Sequence, residues 1–276
     1  QIAAFIIEPI QGEGGIVEPP EGYLQEVRSI CTEFGVLLIF DEIQTGLGRT
    51  GKLFGCDHSQ VSPDIMTLAK ALGGGLIPIG AVLCTEDTYT EEFGNKHSST
   101  FAGNTLACRV GIKVLDILTR DDQKLVREVA RKGEVLKQGL LKIQAKYPNI
   151  IKKIRGRGFM LGIDFGHERE KYPESMLGIM AEQEILSPMI ASYLLNVEQL
   201  RVAPTLNGAS TIRIEPPLIV SEQEIELALA CIERAAARLA QQNTAAFIGH
   251  LLDIDVPDLP GEKQVRPKVY PTNDDS

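Results

Sequence analysis

Lys70 is the residue of this chain with the most chemistry in reach. It follows the apolar run Ile65-Met-Thr-Leu-Ala69 and is followed by Ala-Leu-Gly-Gly-Gly75. A lysine placed this way is partly desolvated, and its amine becomes a usable nucleophile and proton carrier. Asp41 closes a second apolar run, Val36–Phe40. It reads either as an acid that ends a strand and caps the next helix, or as a ligand that bonds a protonated ring nitrogen. Gln44, three residues on, either faces water or hydrogen-bonds a ring hydroxyl. In an open parallel sheet, ligands bind beyond the carboxyl ends of the strands. Asp41 and Lys70 would then face one crevice from two neighbouring strands. A carboxylate beside a lysine, reached by a glycine turn, suits pyridoxal 5'-phosphate: the amine forms the Schiff base and the acid keeps the ring an electron sink.

Other polar positions carry weaker signals. Gly46-Leu-Gly-Arg-Thr-Gly51-Lys52 has the GxxxxGK spacing of a phosphate loop, but Leu53 has no hydroxyl to hold magnesium, so a nucleotide triphosphatase is rejected. Gly12-Glu13-Gly14-Gly15 gives tight turns without the third glycine of a dinucleotide loop. Arg213 stands alone in Thr-Ile-Arg-Ile-Glu-Pro-Pro, either as a strand residue facing water or as a buried fork for a carboxylate. His58, His97, His167 and His250 have no ligand spacing and receive no role.

The elements that must position these groups are set by periodicity. Residues 2 to 7 read as a buried strand. A helix over about 21–34 has Leu24, Val27, Ile30 and Phe34 on one face and Gly35 as its C-terminal cap. Val36–Phe40 reads as a strand covered on both faces. Short strands are expected near 65–68 and 80–84, so strand, helix and strand form a right-handed crossover. Helices over about 104–118 and 122–146 come next, the second with Leu125, Val129, Leu136, Leu140 and Ile143 on one stripe. Strands near 160–165 and 211–215 flank another helix, and Ser221-Glu-Gln-Glu224 is a capping box that opens a last helix with Ile225, Leu229, Ile232 and Leu239 inward.

The fold class is therefore α/β. The expected units are 1–118, part of a parallel-sheet cofactor domain; 119–242, a smaller α+β domain; and 243–276, a Pro-rich, charged linker or disordered tail.

Composition bounds the partners. The 276 residues are 43% apolar and 24% charged, as in an ordinary globular protein. A net charge of −9 with scattered Lys and Arg argues against nucleic acid or an anionic membrane. No apolar run reaches membrane-span length. Five cysteines without CxxC spacing read as reduced thiols in a cytoplasmic setting and argue against zinc or another metal. Gln1 leads directly into a strand-like run, which reads as an excerpt of a longer polypeptide.

Six ordered motifs resemble one family. EPIQGEGG, LLIFDEIQTGLGRTGK, PDIMTLAKALGGG, SSTFAGN, RGRGFMLGIDF and TIRIEPPL are similar to segments of class III aminotransferases of the type I pyridoxal-phosphate fold, over roughly residues 2 to 240. TLNGASTIRIEPPL is most similar to putrescine and related ω-aminotransferases, with ornithine and acetylornithine enzymes close behind. The resemblance implies transamination between an ω-amino acid or diamine and a 2-oxo acid such as 2-oxoglutarate. It implies Lys70 as Schiff-base lysine, Asp41 at the pyridine nitrogen, Ile43 on one ring face and Gln44 at the ring hydroxyl. Thr100 would bind the cofactor phosphate of a partner subunit, so that a homodimer shares its sites. Arg213 would grip the α-carboxylate, and Glu13 would neutralise Arg213 when an ω-amine is bound.

The family's phosphate cup and stacking aromatic ring lie upstream of EPIQGEGG. The chain as written is thus expected to bind cofactor poorly and turn over little alone. The same scaffold also serves aminomutases and racemases, and a non-catalytic partner half is a further alternative. FIGHLLD, near the end, faintly resembles the opening of cyanobacterial acyl-carrier reductases, which would imply a fused second enzyme.

Overall fold

The computed structural model describes residues 2–97, 99–166, 185–206, 210–241 and 249. The expected tail, with FIGHLLD apart from Gly249, lies outside the described residues. Two four-stranded sheets organise the rest. In the first, β1 (Ala4–Ile7), β2 (Leu37–Asp41) and β3 (Ile65–Leu68) run parallel, and β4 (Ala81–Cys84) closes the order antiparallel to β3. The second sheet is antiparallel: β5 (Ile151–Arg157), β6 (Met160–Phe165), β8 (Thr211–Ile214) and, at its edge, the short β7 (Ala203–Pro204). This parallel-containing α/β architecture is the expected fold class. Strands β5 and β7 were not foreseen, because Lys153, Arg155 and Arg157 break up the apolar signal of one and the other has only two residues.

Helix α1 (Tyr23–Phe34) joins β1 to β2 and ends at Gly35, whose φ of 63° is the left-handed cap that the sequence predicts. Leu24 and Cys31 are buried against Leu38 and Phe40, with Val27 packed on them. Ile30 and Phe34, expected on the same buried face, are 48% and 69% exposed. The strand over 2–7 differs in the same way, with Ile6 62% exposed. Both differences have one cause: β1 is the edge of its sheet among the described residues, so the apolar groups beside it have no neighbour on that side.

Helix α3 (Thr105–Lys146) comes after the short α2 (Glu91–Lys96) and is broken at Arg120–Gln123, where three successive residues have φ near +53° to +55°. The break matches the two helices expected from the sequence. Leu72 of the turn after β3 packs where Gly111 leaves room on the first half of α3. The second half buries Val129, Leu136, Leu140 and Ile143 against the second sheet, with α4 (Leu186–Asn196) and α5 (Glu222–Ala240). The Ser221 hydroxyl accepts from the Glu224 amide, and the Glu224 carboxylate accepts from the Ser221 amide, so the capping box is formed.

The two sheets meet through glycines and the half-buried Arg49. A Cβ on Gly158, in the β5–β6 turn, would lie 2.4 Å from the Thr50 carbonyl carbon, and one on Gly133 would lie 2.5 Å from Gly158. The GxxxxGK segment is thus a packing surface rather than a phosphate loop. Arg49 donates to the carbonyls of Pro216, at 2.6 Å, and Phe159, at 3.3 Å. Burial pushes its guanidinium below the ordinary value, with Glu215 opposing the shift.

The loop after β1 is clipped to the second sheet. Ile16 is fully buried with φ of 54°, an uncommon backbone for a β-branched residue. It fills the space left by Gly156 and Gly162. Glu18 closes the clip, accepting from the Gly156 amide at 2.9 Å and from Arg157 at 2.6 Å. Burial raises the Glu18 pKa, but the bonds from Arg157 and Gly156 outweigh burial and hold the carboxyl below its ordinary 4.5.

This packing can be tested at two residues. Gly133→Ala should gain helix propensity but overlap the Gly158 backbone, so a net loss of about 1–3 kcal/mol is expected from the urea midpoint; a midpoint that rises would mean the contact is loose. Glu18 has a lowered folded pKa, so its contribution is present above the unfolded value and is lost as pH falls through the folded one. Acid titration of the urea midpoint below the ordinary 4.5 should therefore fall less steeply in Glu18→Gln than in the parent chain, and parallel curves would contradict this.

Candidate active site

Asp41 ends β2 and Thr67 lies beside it on β3, in register. The Asp41 Oδ1 atom accepts from the Ile43 amide at 3.0 Å and from the Thr67 hydroxyl at 3.2 Å. Both donors hold the same oxygen, which fixes the carboxylate plane and leaves Oδ2 without a bond among the described residues. Ile43, two residues after Asp41, is half-buried.

Lys70 opens a 3₁₀ turn (Lys70–Gly73) directly beyond β3. Its φ is 45°, and Ala69 before it is also outside the regular regions, with φ −159° and ψ −144°. A long side chain held in the left-handed region carries a steric cost, and such outliers concentrate at functional sites. The Lys70 Nζ donates to Gln44 Oε1 at 3.0 Å. The expectation of a partly desolvated amine is not met: Lys70 is exposed, although Leu72 of the same turn is buried against α3.

Gln44 is the joint between the sheets. Its Nε2 donates to Glu215 Oε1 at 2.6 Å, just past β8, while its Oε1 accepts from Lys70. Gly12 lies against the same amide; a Cβ there would sit 2.2 Å from Gln44 Oε1. The next residue, Glu13, pairs with Arg213 of β8 at 2.6 Å and also accepts from the Leu206 amide at 3.1 Å. The Arg213 Nε is buried without a hydrogen-bond partner among the described residues. Such an orphan donor is costly unless a further acceptor completes it. Arg213 is the half-buried fork rather than the solvated strand residue, and with Glu215 it lines a cavity of about 390 Å³.

The structure therefore bonds Lys70, Gln44 and Glu215 into one chain with Gly12 against it, and pairs the adjacent Glu13 with Arg213, while Asp41 is bonded to Ile43 and Thr67 at the end of β2. Thr100 is not among them. It is exposed in the segment between α2 and α3 and bonds to none of these residues. A larger groove, between β1 and α1, is lined by Ile2, Phe5, Tyr23, Ile30 and Phe34 and is remote from this chemistry.

Two carboxylates were missed by sequence reasoning. Glu215 stands two residues after Arg213, and strand alternation puts both on one side, so the signal was there. Glu42 had none: it is fully buried and accepts from the Gly55 amide at 2.8 Å, the Cys56 amide at 2.7 Å and the Thr45 hydroxyl. It ties down the loop after Asp41. Burial and then Glu42 push the Cys56 thiol well up, which keeps that cysteine unreactive.

The donor set fits a pyridine aldehyde. Asp41 offers one fixed oxygen with a free lone-pair edge, and Lys70 offers an accessible primary amine on the neighbouring strand end. Among the described residues, no helix is long and apolar enough to cross a membrane.

Comparison with solved structures agrees. The ornithine aminotransferase of Plasmodium yoelii is 32% identical, with a TM-score of 0.72 over 85% of this chain and 56% of its own. The acetylornithine aminotransferase of Elizabethkingia anophelis is 35% identical, with a TM-score of 0.70 over 85% and 54%. The ornithine aminotransferase of Toxoplasma gondii, described with partial occupancy of PLP at its active site, is 34% identical, with a TM-score of 0.72 over 87% and 52%. The chain thus spans about half the length of the structures it matches. The similarity bears out the expected partial type I fold and, because the family is PLP-dependent, the expected cofactor. Residues 1–236 match the aminotransferase class-III family, and this chain belongs to it.

Proposed function

We propose that this chain supplies the lysine, the ring-anchoring acid and the carboxylate-binding arginine for transamination between an ω-amino acid or diamine and a 2-oxo acid such as 2-oxoglutarate. The observation that carries this reading is the Glu13–Arg213 pair beside the bonded chain Lys70–Gln44–Glu215: Glu13 follows Gly12, which lies against Gln44, and Arg213 stands two residues before Glu215. The cationic fork can meet a carboxylate, and the adjacent acid can silence it when the incoming substrate has none there. One pocket can then serve both half-reactions.

Bound pyridoxal phosphate supplies the aldehyde that takes up the amino group and the ring that accepts electrons from the substrate carbon. Asp41, with Oδ1 fixed by Ile43 and Thr67, would hold the proton of the ring nitrogen. Ile43 would pack on one face of the ring, and Gln44 would contact its hydroxyl. The Lys70 amine would hold and move the proton at its Nζ, with Gln44 Oε1 accepting from it at 3.0 Å. Arg213 binds and orients the α-carboxylate of the 2-oxo acid, and Glu13 withdraws to let it.

Thr100 is proposed to bind the phosphate in a second copy's site, making the working form a homodimer; its exposure away from its own cluster supports this. The free thiols support a cytoplasmic setting. Turnover by this chain alone is proposed to be weak, since Lys70 is exposed and water is not excluded from its amine.

Incubation with pyridoxal phosphate and then borohydride should fix the cofactor on the Lys70 peptide, and Lys70→Ala should abolish that adduct. An adduct of equal yield elsewhere in Lys70→Ala would end the assignment. In a catalytically competent assembly, Arg213→Ala should raise the 2-oxoglutarate concentration needed for glutamate formation by about tenfold or more, the scale of one lost charge-assisted contact. An unchanged requirement would remove Arg213 from substrate binding.

A further inference from the structure

We propose that Glu215 is a positioning residue that acts on Lys70 through Gln44. The proposal rests on the reading of Lys70 as the reactive amine.

A glutamine amide has two nearly isosteric ends, one that only donates and one that only accepts, and its neighbours decide which way it faces. Lys70 presents donors alone, so it calls for the oxygen. Gly12, whose missing side chain lets the loop backbone approach, leaves room for the amide without choosing between its ends. Glu215 chooses. A carboxylate has no hydrogen to give, so the 2.6 Å contact commits the Gln44 NH₂ to the second sheet and turns Oε1 toward Lys70, 3.0 Å away. Both contacts are charge-assisted, and the one to Glu215 is short.

The Glu215 carboxylate is itself held in place. It stands one residue before Pro216, whose carbonyl accepts from Arg49 at 2.6 Å, and the Arg49 charge faces it as well. A carboxylate on the second sheet thus sets the direction in which an amine on the first sheet is presented. Any group that takes the place of the Lys70 amine at Gln44 must arrive with a hydrogen to donate.

The test is competitive labelling of lysines in the intact chain with trinitrobenzenesulfonate, read as the modification of the Lys70 peptide relative to the other lysines. Glu215→Ala removes the acceptor and should speed Lys70 labelling by roughly threefold or more, the scale of one lost hydrogen-bonded orientation. Glu215→Gln keeps the shape but can present either end, and should fall between Glu215→Ala and the parent. Gln44→Ala should match Glu215→Ala, and the double variant should show no further gain.

Unchanged labelling in Glu215→Ala would overturn the proposal. So would an effect that persists in full without Gln44, since Glu215 would then act through space or through stability. A purely structural role would lower the melting temperature of both Glu215 variants without this ordering at Lys70. The labelling needs no cofactor, so it decides the role of Glu215 even if borohydride finds no pyridoxal phosphate on Lys70.

Discussion

The close approach of Gly158, Gly51 and Gly133 is the contact on which the rest of this structure depends. At each position a single added carbon would collide with backbone, at distances of 2.4 to 2.8 Å. Backbone against backbone leaves little room for adjustment, so the turn of the second sheet sits at a set distance from the loop after Asp41. Arg49 reinforces this by directing its buried donors to the carbonyls of Phe159 and Pro216. The separation between Lys70 and Arg213 is thereby inherited from packing rather than from the residues that would do the chemistry.

Within that frame the ionisable groups are handled unequally. Glu42 is fully buried and fully bonded, which is the condition for a buried carboxylate to be tolerated. Asp41 is bonded at one oxygen only, Arg213 keeps one buried donor without a partner among the described residues, and Lys70 sits on a strained backbone. Left-handed non-glycine backbone also occurs at Ile16, Leu47 and Asp121–Gln123, but there it serves packing, whereas these three positions carry the ionisable groups of the candidate site. Natural proteins concentrate such violations where ligands act.

The sequence made much of this legible, and the gaps have physical reasons. Short apolar runs located β2 and β3, and helical periodicity with a clear end signal in Gly35 or Ser221 located α1 and α5. Lys70, Asp41 and Gln44 stood out by spacing, and the geometry joins Lys70 directly to Gln44. The burial of residues 2–7, Ile30 and Phe34 was misjudged because apolar character records what a surface can pack against, not whether this chain supplies the neighbour. Strand β5 was hidden because Arg155 and Arg157 make bonds to Gly15, Thr211 and Glu18 that no periodicity announces. Glu215 was readable from its spacing to Arg213, but only once Gln44 was known to lie opposite.

The bend in α3 carries a consequence for the relation of the two sheets. Asp121, Asp122 and Gln123 take left-handed angles in succession, and although Asp tolerates that region singly, a run of three is costly and needs outside support. Leu118 and Val126, on either side of it, are buried together in one cluster with Leu47, and Gly48 closes on both. Tertiary contact therefore overrules the helix. Without that cluster, the favoured state of residues 105–146 would be one straight rod of about 60 Å, which would swing the cationic end of the pocket away from its amine.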